Sequence, residues 1–138
     1  VRGAARARLG DLLVETTVAR EPATPHAQLE KLRQRPLHAA LVIVASALLR
    51  DHPKVPEIEQ LLSVGAAAMN LLNAFHAQGF GAAWLTGPSA YDPEVARRLG
   101  LDGAERLVGF LYVGSVGTVV PAAPARPASR GFVSEWQG

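Results

Sequence analysis

A stretch without any Asp, Glu, Lys or Arg covers residues 61–91 and constrains the fold more than any other feature of this sequence. It follows Pro56, which suits the first turn of a helix because its missing N–H would have no partner there. Gly79 is the residue type that most readily adopts the left-handed conformation at a helix end. The pattern therefore predicts a helix from Pro56 to Gln78, about 35 Å long from the rise per residue of an α-helix.

Apolar side chains cover nearly every face of this predicted helix. They are Ile58, Leu61, Leu62, Val64, Met69, Leu71, Leu72 and Phe75. A helix that is apolar all round is buried all round, either inside a large core or between subunits. A membrane span is the alternative for such a long uncharged run. The polar side chains of Asn70, Asn73 and Gln78 make insertion into a bilayer costly and favour the buried helix.

The composition is that of a globular protein, with 49% hydrophobic and 19% charged residues in a chain of 138. This length predicts a single domain over residues 1–138. The sequence contains no Cys, which excludes thiolate catalysis within it and is compatible with a cytoplasmic protein. The formal net charge is only +2 and no aromatic residue interleaves with the N-terminal arginines, so nucleic-acid binding is not favoured. The four histidines have no metal-ligand spacing, and no metal site is predicted.

Two helices and a strand are predicted before the long helix. Apolar spacing predicts the first helix over residues 4–18. Thr24 is a suitable N-cap and Pro25 a suitable first residue for a second helix, which ends at Pro36. The continuous apolar run over residues 39–48 predicts a central strand that is covered on both faces.

After the long helix, the pattern alternates between short strands and one short helix. Strands are predicted over residues 81–85 and 107–113, and a helix capped by Asp92 closes at Gly100. Prolines make regular structure unfavourable in the segment that follows, so residues 115–138 are predicted to form an extended C-terminal tail. The end of this tail carries alternating apolar residues, and we expect it to dock on its own domain or on a partner subunit.

Motifs for catalysis by side chains alone are absent from this sequence. Residues 87–90 do not form a nucleophile elbow. Residues 79–81 resemble part of a dinucleotide fingerprint, but they follow a predicted helix where that fingerprint follows a strand. Chemistry would therefore come from a bound cofactor. Trp84 has two interpretations: an anchor at a strand end, or a residue whose neighbouring backbone groups contact a flat aromatic ligand. A packed or half-exposed role is more usual than a functional one for a histidine such as His76.

Three motifs in order resemble the small FMN-dependent nitroreductases. Residues 54–65 (KVPxxEQxxSxG) resemble the start of the central helix of that family. Residues 77–84 (AQGFGxxW) resemble the end of this helix and the following strand, and residues 108–114 (VGFLYxG) resemble the last core strand. The resemblance is closest to the minimal, YdjA-like NAD(P)H nitroreductases. Each motif alone is weak, but their order and spacing together are fairly specific.

The resemblance implies an α+β homodimeric flavoprotein in which a central sheet packs against helices around a long dimer-interface helix. FMN would lie at the subunit interface and pass hydride from NAD(P)H to a nitroaromatic, a quinone or a similar small-molecule acceptor. By position, the FMN contacts would be Trp84, Leu85 and Thr86. The residues matched to the nicotinamide nucleotide would be Ala74, Phe75, His76, Ala77, Gln78 and Gly79. The resemblance implies no side chain as an obligatory proton donor.

The chain departs from the family pattern in two places. The family opens with a helix bearing an Arg-Arg-Ser motif and a loop with further flavin contacts, and we expect both to precede Val1. Relatives often carry a basic residue where Leu85 stands. Arg126 and Arg130 are candidate phosphate partners, although solvated arginines are more usual in such a tail. These departures motivate a second hypothesis, a non-catalytic homodimerisation or interaction domain with the same fold and no bound flavin.

Overall fold

The computed structural model describes residues 1–117 and 125–138, and it contains four α-helices and three strands in those residues. In chain order they are α1 (Ala5–Arg20), α2 (His26–Gln34), β1 (Leu41–Leu48), α3 (Glu57–Ala77), β2 (Phe80–Leu85), α4 (Pro93–Arg98) and β3 (Glu105–Ser115). Single 3-10 turns lie at Arg35–His38, Pro88–Tyr91 and Ser129–Gly131. The predicted α+β class is confirmed, and each predicted helix and strand is present with small shifts at its ends.

The strands form an antiparallel sheet in the order β1-β3-β2. The prediction that the first strand is central is wrong for the described residues, because β3 lies between the other two. β3 is fully buried over residues 109–113, as expected of a strand covered on both faces. The backbone of Val1 partly pairs the outer edge of β1, since its ammonium group donates to the Val42 carbonyl at 2.7 Å and its carbonyl accepts from the Val42 N–H at 2.9 Å.

Two layers cover opposite faces of this sheet. On one face, Leu9 and Leu13 of α1 and Val95 of α4 form a buried cluster with Phe110 and Tyr112 of β3. On the other face lies α3, which packs against all three strands. Because successive residues of a strand point to opposite faces, Phe110 and its neighbour in β3 contact different layers.

The helix ends follow local chemistry in most places. Asp92 caps α4 by accepting a hydrogen bond from the Glu94 N–H at 2.9 Å, as predicted. Gly79 has a φ of 81° directly after α3, which confirms its predicted role. The prediction that Thr24 caps the second helix is wrong: its hydroxyl donates to the Glu21 carbonyl at 2.7 Å and so stabilises the preceding turn.

The long helix α3 is largely exposed on this chain. Ala68 is its only buried residue. Ile58, Leu62 and Met69 are 60%, 65% and 52% exposed. Burial inside a core of its own chain is therefore wrong, because a three-stranded sheet covers only one side of a helix. Burial between subunits stays a prediction. Within the described residues, no helix has both the length and the hydropathy needed to cross a bilayer.

The C-terminal tail is only partly described, because Pro121 and Pro124 of the predicted extended segment lie outside the described residues. Phe132, Val133 and Trp136 are 76%, 74% and 89% exposed. Docking of the tail end on its own domain is therefore wrong for this chain. Docking on a partner subunit stays a prediction, as does the assignment of residues 1–138 to one domain.

Candidate functional site

The segment predicted to contact a flat ligand lies at the carboxyl end of β2, an outer strand of the described sheet. Trp84 pairs with Leu111 of β3, and Leu85 pairs with Phe110. Paired residues of an antiparallel sheet share a face, so Trp84 lies on the α3 side and Leu85 on the α1 side. Leu85 is 41% exposed and Thr86 is also exposed, whereas Trp84 is half-buried.

The indole of Trp84 is held between β3 and α3. Its Nε1 donates to the Val108 carbonyl at 3.3 Å. Beside that carbonyl, Gly109 has a φ of 150°, and a Cβ added there would overlap the indole nitrogen and lie 2.9 Å from the Leu85 carbonyl oxygen. On the other side, a Cβ at Gly65 would lie 3.8 Å from Cη2 of the indole, an ordinary contact. The Trp84 side chain therefore acts as an anchor, and the residues that follow it face outward.

The second predicted segment is the C-terminal end of α3 and the turn that follows. Phe75 is half-buried and the other five residues are exposed. The Gln78 side-chain amide donates to the Ala74 carbonyl at 3.2 Å, and the Gly79 N–H donates to the His76 carbonyl at 3.0 Å. A helix C-terminus carries partial negative charge, which disfavours a pyrophosphate and favours a cationic ring such as an oxidised nicotinamide.

The two segments lie at opposite ends of β2. The distance from Phe80 to Leu85 along the strand is about 17 Å, at about 3.4 Å per residue. The same separation follows from α3, because Gly65 lies beside the Trp84 indole and about 18 Å before Ala77 along the helix axis. The structure therefore does not bring the two segments together within one chain. A single site containing both requires a ligand of that length or segments from two copies.

The uncharged side chains and backbone groups of the two segments fit part of a flavin nucleotide. Leu85 and Thr86 are exposed at the end of β2. Leu85 offers an apolar side chain and both residues offer backbone groups, which are the contacts that a planar ring system uses. A phosphate requires charge-assisted donors, and residues 84–86 and 74–79 contain no Lys or Arg. Arg126 and Arg130 of the tail are exposed in the structure. These segments therefore fit the ring of FMN and leave its phosphate to other residues.

Sequence reasoning placed Gly65 and Gly109 in motifs but missed that both lie beside the Trp84 indole. Gly109 lies within the apolar run of β3, and a glycine inside a strand marks a bend or a close approach of another group. That signal was present in the sequence. It did not indicate that the approaching group is the indole, because the pairing of β2 with β3 is not visible in either segment alone.

The comparisons with known proteins establish the family. The model described as "Nitroreductase family" matches residues 1–115, which is most of the chain. The chain therefore belongs to the nitroreductase family, and the resemblance carried by the three motifs is confirmed.

Individual relatives agree with this assignment. The chain is 33% identical over 115 residues to YdjA of Escherichia coli (strain K12), a protein assigned as an NAD(P)H nitroreductase; the match covers 83% of this chain and 62% of YdjA. A nitroreductase-like family protein from Bacillus cereus has a similar structure, with a TM-score of 0.83, 23% identity and coverage of 99% of this chain and 71% of that chain. The FMN-dependent nitroreductase NfnB from Mycobacterium smegmatis, solved in complex with NADPH, gives a TM-score of 0.67, 18% identity and coverage of 99% and 77%. The structural similarities support the fold.

Proposed function

We propose that this chain acts in an FMN-dependent NAD(P)H oxidoreductase that reduces nitroaromatic, quinone or similar small-molecule acceptors. Family membership and the similarity to YdjA support this proposal. The observation that carries it is the strand end at Trp84, where a locked indole holds two outward-facing residues at an open edge of the sheet. FMN, when bound, accepts a hydride from NAD(P)H and transfers it to the acceptor.

The chain's own contribution at the strand end is to orient the ring. Leu85 and Thr86 would contact FMN with a side chain and backbone groups, and Trp84 would fix their position through its bond to the Val108 carbonyl. A rigid contact surface lowers the entropy lost when a ligand binds. The tail arginines Arg126 and Arg130 are the proposed partners of the phosphate.

Homodimerisation through α3 is part of the proposal. The exposed side chains of Ile58, Leu62 and Met69 lie along one side of α3 and form an apolar surface that no part of the described chain covers. In a two-fold interface, residue i contacts residue j and j contacts i. Antiparallel packing of two copies of this side of α3, centred at the level of residue 71, would place Gly65 of one copy opposite Ala77 of the other. Leu62 would then lie just beyond Ala77 of the partner, near its exposed Phe80. Trp84 of one copy would then lie near the nicotinamide segment of its partner.

This arrangement accounts for the separation of the two segments within one chain. Ala74, Phe75, His76, Ala77, Gln78 and Gly79 would contact the nicotinamide nucleotide above a flavin held by the other copy. The small side chain of Ala66 is exposed on the same side of α3 as Leu62 and Met69, and it would allow the two helices to approach closely. A cytoplasmic location stays a prediction.

A non-catalytic homodimerisation domain without flavin is the second candidate. The chain spans 62% of the length of YdjA. One observation favours this second candidate: the two predicted segments carry no cation for a phosphate. The same apolar face of α3 supports dimerisation in both candidates.

Titration of the purified chain with FMN separates the two candidates. The oxidoreductase predicts quenching of flavin fluorescence that saturates, followed by oxidation of NADPH in the presence of a quinone or a nitroaromatic. The matched variants are Thr86→Pro, which removes a backbone N–H at the proposed ring contact, and Ser63→Ala on exposed α3. Only the first should weaken FMN binding. A stable dimer that neither binds FMN nor oxidises NADPH would support the second candidate instead.

A further inference from the structure

A pocket of about 190 Å³ lies between α1, α2 and the turn Pro88–Tyr91. It is on the α1 side of the sheet, away from the apolar face of α3. Its polar walls include Thr17, Arg20, Lys31, Arg35 and Ser89. Pockets for drug-sized ligands usually measure about 300–1,000 Å³, so this one suits a ligand with about one ring.

The charges around this pocket are mostly positive. Among the residues that the structure describes, Glu21 is the only carboxylate in the lining, and it accepts a hydrogen bond from Arg20 Nε at 3.1 Å. Arg20 also pairs with Asp92, so its charge is balanced by two carboxylates. Lys31 and Arg35 form no ion pair with any residue that the structure describes. Two positive charges therefore lie at the pocket without a neutralising partner.

Two hydroxyl groups deepen the same polar wall. Thr17 and Ser89 are only 7% and 8% exposed, yet their hydroxyls make no hydrogen bond within the described part of the chain. The neighbouring Thr16 behaves in the usual way, since its hydroxyl donates to the Leu12 carbonyl at 3.0 Å. Among the described residues, no side-chain polar atom is both sealed from solvent and unpaired. Because Thr17 and Ser89 line the pocket, their hydroxyls are open to it and free to donate.

An apolar wall completes the pocket. Leu29 and Leu32 of α2 and Pro88 also line the pocket. Apolar walls with a few convergent polar groups are typical of small-molecule sites. A bare inorganic anion would use the charges and leave the leucines and the proline without a contact.

We propose that this pocket binds a small organic monocarboxylate with an apolar body. Arg35 and Lys31 pair with the carboxylate, and the hydroxyls of Thr17 and Ser89 donate to the same oxygens. Leu29, Leu32 and Pro88 contact the apolar body. The pocket shares no residue with the segments proposed to contact FMN and the nicotinamide, so this inference does not depend on the proposed function.

The test uses phenylacetate titrated into the full, flavin-free chain and followed by calorimetry and by amide chemical shifts. We expect saturable binding with one site per chain, with shifts at Thr17, Arg35 and Ser89. Phenylacetamide keeps the apolar body and lacks the charge, and inorganic phosphate keeps the charge and lacks the apolar body. Each should bind at least about tenfold more weakly, which corresponds to the loss of about 1.4 kcal/mol.

Variants assign the binding to this pocket. Arg35→Gln and, separately, Lys31→Gln should each weaken phenylacetate binding several-fold, whereas Arg8→Gln on the exposed side of α1 should leave it unchanged. Lys31 and Arg35 are both exposed, so neither variant should unfold the chain, and each tests the pocket separately. The proposal is overturned if phenylacetate does not bind saturably, if neither pocket variant changes its affinity, or if phosphate or phenylacetamide binds as tightly.

Discussion

The two faces of the sheet are covered in opposite ways. On the α1 side, Leu13 and Phe110 are each 2% exposed and pack in a closed cluster within the chain. On the α3 side, the helix itself carries the exposed apolar residues, with Leu62 65% exposed. The first face supplies the stability of the chain by burying apolar area within it. The second leaves exposed apolar side chains for another molecule, as expected of a binding face.

Truncation of one large side chain on each face should show the largest difference. Phe110→Ala should lower the free energy of unfolding by about 3–5 kcal/mol, because it removes a buried ring and leaves a cavity. Leu62→Ala should change the free energy of unfolding of the monomer by less than about 0.5 kcal/mol, as for other surface substitutions. Urea denaturation at low protein concentration measures both. Equal costs for the two variants would contradict the contrast between the faces.

Gly109→Ala, in the central strand β3, should lower the stability less than Phe110→Ala does. The added Cβ would overlap the Trp84 indole and occupy a backbone conformation with a φ of 150°. Such strain costs about 1–3 kcal/mol. Thermal unfolding and Trp84 fluorescence, measured in a Trp136→Phe background, report both stability and ring displacement.

Gly65→Ala is the matched control for this variant. Its Cβ would make an ordinary contact at 3.8 Å with the same indole, and Ala is favoured over Gly in a helix. It should leave the fluorescence unchanged and keep or raise the stability. Unchanged fluorescence and stability in Gly109→Ala would show that the ring is not held as described.

The smallest effect concerns an exposed ion pair on α4. Arg97 donates to both carboxylate oxygens of Glu94 at 2.7 and 2.6 Å, and these hydrogen bonds lower the pKa of Glu94 below its ordinary value of 4.5. Because the pKa of Glu94 is lower in the folded chain than in the unfolded chain, the ion pair stabilises the fold at pH values above the unfolded pKa. This contribution is lost as the pH falls through the pKa of the folded chain.

Glu94→Gln should therefore lower the melting temperature slightly near neutral pH and leave it unchanged in acid. Glu59→Gln, at a carboxylate without an ion pair among the described residues, is the control. A loss of the same size at both pH values would show that the ion pair is not the cause.

Much of the fold was predictable because local chemistry determines it. Asp92 begins α4 and Gly79 ends α3, each through contacts or backbone conformation within a few residues. The apolar runs identify the strands. The sheet order was not predictable in the same way. β1 has a continuous apolar run because helices cover both of its faces, and that pattern contains no information on whether a strand is central or outer.

The candidate sites also combine residues that the sequence indicates with residues that only the fold brings together. Trp84 could be singled out from the sequence, but its partner Gly109 depends on strand pairing. Thr17, Arg35 and Ser89 come from three separate segments with no shared motif, and only the fold brings them to one pocket. The separation of the two candidate cofactor segments likewise follows from the direction of β2, which the sequence motifs do not reveal.

The exposed face of α3 is the feature on which the proposed function depends, and sedimentation of the wild-type chain beside Leu62→Asp tests it most directly. Leu62 is exposed on the single chain, so a carboxylate there is solvated in the monomer and becomes costly only when a second copy covers it. We predict a dimer for the wild type and a folded monomer with weaker FMN binding for Leu62→Asp. A monomeric wild type, or a Leu62→Asp variant that dimerises with unchanged affinity, would contradict the account.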